Sequence, residues 1–152
     1  MAVVKRETDP SGPDLLLPPP ADVRGAVVLL VDDERAWRKA VGLDLAMLGY
    51  RPLLAEDAAE ALELAAQETP EAAIVDIMLP EPMHGWELGL ELRRRGLATA
   101  LIFYSAYLVF DALPPISNVI GYVPKGSARA QLYGLIPSAV RMTRGGLGED
   151  AG

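Results

Sequence analysis

Four apolar stretches of this chain each run into a reactive polar side chain, and segments of helical periodicity fill the intervals between them. Ala26–Val31 (AVVLLV) meets Asp32, Asp33 and Glu34; Ala72–Ile77 carries Asp76; Ala100–Tyr104 meets Ser105; Val119–Val123 ends near Lys125. Continuous apolar runs of this length suit strands buried on both faces, the habit of a parallel sheet covered by helices. Trp37, Val41, Leu45 and Leu48 recur at helical spacing, and Gly49 is placed to end that helix. Arg51–Ala55 makes a further short strand. Asp57 can cap the next helix, with Glu60 reaching back as in a capping box, and Ala58, Ala61, Leu62 and Ala65 form its apolar face. Gly85–Arg95 predicts another helix. Ser127 is expected to cap a last one towards Arg141, which Pro137 should kink or divide. Five strands alternating with helices mean an α/β fold, a doubly wound five-stranded parallel sheet with helices on both faces.

With 152 residues the chain has room for one such domain and tails. Residues 1–25, where Pro10, Pro13, Pro18, Pro19 and Pro20 cluster, predict a flexible proline-rich leader; Leu15–Pro20 has the makings of a short docking motif. The start is too charged, and Leu15-Leu16-Leu17 too short, for a signal peptide. The domain is expected over 26–143, followed by a flexible glycine-rich terminus over 144–152. A net charge of −7 argues against a nucleic-acid surface. The absence of cysteine excludes disulfides and thiolate metal sites, a single histidine, His84, excludes multi-histidine sites, and no apolar run is long enough to span a membrane.

In an open parallel sheet, ligands bind beyond the carboxyl ends of the strands, where the strand order reverses. In the order 2-1-3-4-5, strands one and three are neighbours there, so Asp32, Asp33 and Asp76 converge. Crowded carboxylates raise one another's pKa, and a hard divalent cation with oxygen ligands relieves them; Mg²⁺ suits such a site and readily shares a phosphate. Lys125 adds positive charge, and the Ser105 hydroxyl can donate to a phosphoryl oxygen. Together they form an electrostatic cradle for phosphoryl transfer onto a carboxylate nucleophile. Each element alone has a bland explanation, such as helix-start chemistry for Asp-Asp-Glu or a solvated lysine, but the ordered set at the ends of strands one, three, four and five is hard to obtain by chance.

As a set these motifs resemble the receiver domains of two-component response regulators, over roughly Val27 to Arg141. The matching pieces are Val-Asp-Asp-Glu (31–34), Leu-Gly-Tyr (48–50), Val-Asp-Ile-Met-Leu-Pro (75–80), Gly-Trp-Glu-Leu (85–88), Tyr-Ser-Ala (104–106) and Gly-Tyr-Val-Pro-Lys (121–125). The resemblance implies a flavodoxin-like sheet of order 2-1-3-4-5, with the fourth helix, between Ser105 and Lys125, short or irregular because of Pro114-Pro115. It implies that Asp76 is the phosphoacceptor and that Asp32, Asp33, Asp76 and the Met78 backbone carbonyl hold Mg²⁺, with Mn²⁺ as a second candidate. Ser105 would be the switch hydroxyl, Tyr122 the switch aromatic and Lys125 the phosphoryl-contacting lysine. It further implies a cytoplasmic, stand-alone signalling protein rather than an enzyme acting on a separate substrate. A histidine kinase or histidine phosphotransfer protein would supply the phosphoryl group, and signalling to a downstream protein target would pass through protein–protein contact, with neither nucleic acid nor membrane as partner. Monomer and homodimer both stay open.

The chain departs from the family pattern in places. Gly126 follows Lys125 where proline is usual, and Pro124 precedes it, which motivates a rival reading as a phosphorylation-independent binding adaptor. The Asp76–Gly85 stretch is one residue longer than usual, and His84 stands where Asp or Asn is common; a loop role suits it better than a phosphorelay role. Met78 and Tyr107, each two residues beyond a site residue, are bulky and predict slow self-dephosphorylation. A phosphatase with an aspartate nucleophile would want a second Asp at position 78, and a nucleotide site would want glycines where Asp-Asp-Glu-Arg stands.

Overall fold

The computed structural model describes residues 16–97, 100–106 and 118–145. Its strands are β1 (Val27–Val31), β2 (Arg51–Ala55), β3 (Ala72–Val75), β4 (Leu101–Ser105) and β5 (Val119–Pro124). The helices are α1 (Arg35–Met47), α2 (Ala58–Glu68), α3 (Gly85–Arg94) and α4 (Arg129–Arg144). All strand pairs are parallel and the order is β2-β1-β3-β4-β5, as the sequence implied.

Because successive side chains on a strand face opposite ways, each buried strand feeds two cores. Val28 and Leu30 join Ile74, Ile102 and Tyr104 beneath α1 and α4, against Val41, Leu45, Leu132 and Ile136. Leu29 and Val31 join Val75, Leu101 and Phe103 beneath α2 and α3, against Ala61, Ala65, Leu88 and Leu92. The alanine face of α2 lets that helix lie close to the sheet.

Helix ends mostly follow the local chemistry. Gly49, just beyond α1, has φ +98°, a conformation that costs glycine least. Asp57 accepts a hydrogen bond from the Glu60 amide at 2.9 Å, but the Glu60 carboxylate reaches back to the Glu56 amide rather than to Asp57's own.

Three expectations are corrected. Pro137 does not divide α4, which runs unbroken to Arg144 with Pro137 inside it. A proline there removes one helical hydrogen bond; the burial of Leu132, Tyr133, Ile136, Ala139 and Val140 offsets the loss. Ser127 does not cap that helix: Ala128 holds the N-cap position, and the Ser127 hydroxyl donates to the Pro124 carbonyl at 2.6 Å, closing the turn after β5. Leu16–Gly25, read as part of a flexible leader, anchors to the domain through the buried Pro19 and Val23, while Leu17 and most of the segment are exposed. Val23 is fully buried in the core beside α4, and Arg141 holds the Asp22 carboxylate at 2.9 and 3.0 Å. A valine that completes an apolar surface outweighs the extended preference of the prolines before it. The rest of the leader, the segment expected to form a short helix after Ser105, Tyr107 and the glycine-rich terminus beyond Gly145 lie outside the described residues.

Candidate functional site

The carboxyl ends of β1, β3, β4 and β5 bring Asp32, Asp76, Ser105 and Lys125 into direct contact. Asp76 follows β3, where its amide donates to the Val31 carbonyl. Its Oδ1 accepts from the Ser105 hydroxyl at 2.6 Å and the Met78 amide at 3.0 Å, while Oδ2 accepts from the Lys125 ammonium at 2.9 Å. The same ammonium lies 2.7 Å from Asp32 Oδ2 and 3.0 Å from Glu34 Oε1. Asp32, Asp76, Ser105 and Lys125 are all buried.

The backbone fixes this arrangement. The Lys125 amide donates to the Ser105 carbonyl at 3.0 Å, so β5 is registered against β4 up to the lysine itself. Pro124 costs little, because β5 is an edge strand and has no further neighbour among the described residues for its missing amide to serve. The Val123–Pro124 peptide is trans; among the described residues the cis bond is Glu81–Pro82. On the other side, Gly85 donates to the Ile77 carbonyl and sits so close to Asp76 that a Cβ there would lie 2.7 Å from the Asp76 carbonyl carbon. The start of α3 is thereby seated on the acid's own backbone. His84 serves this loop: its ring Nδ1 meets the Leu79 carbonyl at 3.1 Å, and its amide donates to the Glu87 carboxylate.

Burial pushes the Asp32 carboxyl above the usual carboxylate range, although hydrogen bonds from Lys125 and the Glu34 amide pull the other way and the neighbouring Asp76 adds to the rise. Burial works against the Lys125 charge too, yet hydrogen bonds to Asp32, Asp76 and Glu34 outweigh it and hold the ammonium above its ordinary value. Three carboxylates contact this one ammonium, and Asp33 stands beside them.

Ligand oxygens of Asp32, Asp33 and Asp76 all lie within 4.8 Å of one another. An octahedral Mg²⁺ with bonds of 2.0–2.1 Å spans about 4.2 Å between opposite ligands. The three carboxylates are therefore near enough to one another to share a hard cation. Asp33 is exposed, which leaves that side open to water. Tyr122 pairs with Phe103 in the β4–β5 register and stacks on its ring, centroids 5.5 Å apart. The Met78 side chain is half exposed.

Two participants were not singled out in the sequence. Glu34 could have been noticed as the third acid of its run, and Trp37, whose ring centre is 5.3 Å from the Lys125 ammonium, reads in sequence only as one apolar position of α1.

Comparison with known proteins places this geometry. The model of the response regulator receiver domain family matches residues 28–136. The response regulator MprA of Mycobacterium leprae is 32% identical over 125 residues, 77% of this chain and 52% of that protein. MprA of Mycolicibacterium vanbaalenii is 32% identical over 134 residues, 82% of this chain and 55% of that protein. The chain thus spans about half the length of the curated relatives it matches. Among solved structures, the response regulator TrrA of Thermotoga maritima, in complex with Mg²⁺ and BeF, has a TM-score of 0.68 at 25% identity, covering 75% of this chain and 98% of that one. A CheY-like receiver domain from Methanospirillum hungatei shares the fold, with a TM-score of 0.65 at 24% identity, covering 78% of this chain and 96% of that one. No helix of the described residues is long and apolar enough to cross a membrane.

Proposed function

Because the chain belongs to the response regulator receiver domain family, we propose that it accepts a phosphoryl group on Asp76 from a histidine kinase or histidine phosphotransfer protein and passes the signal on by protein–protein contact, in the cytoplasm. The observation that carries this reading is the Asp76 carboxylate held between a hydroxyl, a backbone amide and an ammonium, with two further acids beside it.

Asp32, Asp33, Asp76 and the Met78 carbonyl are the groups that would hold Mg²⁺, or Mn²⁺ in its place. Bound among them, the ion supplies positive charge for the oxygens of an incoming phosphoryl group. The chain's own residues do the rest. Asp76 is fixed at the end of a buried strand, so little conformational freedom is lost when it attacks. One of its oxygens forms the bond to phosphorus as the bond to the donor's imidazole nitrogen breaks and the electron pair leaves with the ring. Lys125 and Ser105, already hydrogen-bonded to the two Asp76 oxygens, are within reach of phosphoryl oxygens attached there. Ser105 moving onto the phosphoryl group would disturb β4, and Tyr122, stacked on Phe103 of that strand, is the side chain placed to follow. Such a change acts by shifting a two-state equilibrium.

The adaptor reading drew on the altered surroundings of Lys125. With the lysine 2.9 Å from Asp76 despite Pro124 and Gly126, that motive weakens. The test is to treat the full chain and its Asp76→Asn variant with acetyl phosphate and Mg²⁺ and weigh both intact. A phosphoryl mass gain confined to the unsubstituted chain is expected; no gain in either, or equal gains, refutes the assignment.

A further inference from the structure

Glu34 has no part in the chemistry described so far. It holds the N-cap position of α1 without capping it through its side chain; instead Oε1 lies 3.0 Å from the Lys125 ammonium. Trp37, one turn along the same helix, faces that ammonium as well, so the first turn of α1 meets the lysine with a carboxylate and an aromatic ring.

The three carboxylates on Lys125 are not equivalent. The side chains of Asp32 and Asp76 are 3% and 6% exposed, that of Glu34 58%. If a buried carboxylate gives up its cation, a charge is stranded away from water, which is strongly unfavourable. Glu34 can let go at small cost, since water rehydrates it and an exposed pair is worth little. When a new anion claims Lys125, the contact that yields is the one to Glu34.

Resting on the assignment of Asp76 as phosphoacceptor, we propose that Glu34 is a positioning residue that tethers Lys125 in the unphosphorylated protein and competes with the phosphoryl group for it. Transfer from acetyl phosphate forms an Asp76 O–P bond and breaks the P–O bond to acetate, which leaves with the electron pair. As the phosphoryl oxygens arrive, Lys125 exchanges its Glu34 contact for one of them. The tether makes the resting site harder to charge from a small anionic donor, through both the occupied lysine and the nearby negative charge.

Glu34→Gln keeps the side chain's shape and removes its charge. In the full chain with Mg²⁺ and acetyl phosphate, followed by intact mass, Glu34→Gln should be phosphorylated about two- to fivefold faster at low salt, the range an exposed ion pair supports. The gap should close at about 0.5 M salt, where exposed charges are screened. A second readout that a merely structural role would not move is the Lys125 side-chain ammonium resonance in the unphosphorylated protein, which should shift in Glu34→Gln. Equal or slower phosphorylation of Glu34→Gln beside a normally phosphorylated unsubstituted chain overturns the tether and leaves the Asp76 assignment standing. No phosphorylation of the unsubstituted chain overturns both.

Discussion

Adding one methyl group at Gly85 and the same methyl at Gly134 should change stability in opposite directions. A Cβ on Gly85 would lie 2.7 Å from the Asp76 carbonyl carbon and 2.7 Å from the Ile77 Cα, and closer still to the Asp76 carbonyl oxygen. These atoms are backbone and cannot rotate aside, so α3 or the end of β3 must move. The hydrogen bond from Gly85 to the Ile77 carbonyl lies across the same contact and is stretched or lost. Overpacking of about 1–3 kcal/mol together with about 1 kcal/mol for the hydrogen bond gives Gly85→Ala a destabilisation of about 2–4 kcal/mol. For a domain of this size that lowers the melting temperature by roughly 10 °C. Gly134 lies inside α4, and a Cβ there meets nothing within 4 Å. Gly134→Ala removes only the conformational freedom of glycine in a helix and should stabilise by about 0.5–1 kcal/mol. Urea unfolding followed by circular dichroism measures both, with the midpoint moving and the slope constant. A Gly85→Ala variant within about 0.5 kcal/mol of the parent, or two variants shifting the same way, would refute the claim that α3 is seated on the backbone of Asp76.

Two further outcomes follow from buried polar groups outside the carboxylate cluster. Burial pushes the hydroxyls of Tyr50 and Tyr104 up to about 12, and neither has a hydrogen-bond partner among the described residues. An unfolded tyrosine ionises near pH 10 while the folded one keeps its proton, so this stability is complete below pH 10 and is lost as pH rises towards 12, by about 2–3 kcal/mol per tyrosine. Urea titrations across that window should show Tyr104→Phe flattening the loss at little cost at pH 7; an unchanged alkaline slope counts against it. Asp44 on α1 accepts from Arg129 at 2.9 Å and Tyr133 at 2.5 Å on α4, and Asp44→Asn should cost about 2–4 kcal/mol by leaving the arginine largely buried without its counter-charge. Chemical denaturation that finds less than about 1 kcal/mol would show the pair to be surface-like.

The strands and the acids at their ends were legible because burial on both faces leaves a continuous apolar word, and because chemistry at strand ends falls at fixed places in it. What stayed hidden depended on partners far along the chain. Pro137 reads locally as a break, and only the apolar face of α4 against β4 and β3 shows why the helix continues. Val23 reads as part of a proline-rich leader, yet it fills the apolar core beside α4, with its neighbour Asp22 meeting Arg141 on that helix. Ser127 is a good capping residue by type, but the tight turn after β5 takes its hydroxyl first. Asp32, Asp76, Ser105 and Lys125 could be placed together once the strand order was assumed; that Glu34 also reaches the lysine depends on a side-chain direction that spacing does not encode.

The charges around Asp76 also explain why one lysine is enough to hold the resting site together but not to neutralise it. Three carboxylates contact Lys125 and a fourth, Asp33, stands beside them at the surface. A single ammonium donates to all three carboxylates while cancelling only one charge. The Asp32 carboxyl stays raised even with the lysine at 2.7 Å, chiefly because it is buried, with the neighbouring Asp76 adding a little. A site balanced this way has a standing preference for added positive charge and an ordered path for releasing its lysine, because the three contacts differ in exposure. The buried pair keeps the ammonium beside Asp76 whatever arrives, and the exposed Glu34 gives way first. The difference in exposure among the acids of the turn between β1 and α1 and the one after β3, more than the number of acids, is therefore what makes the cluster responsive to an incoming anion.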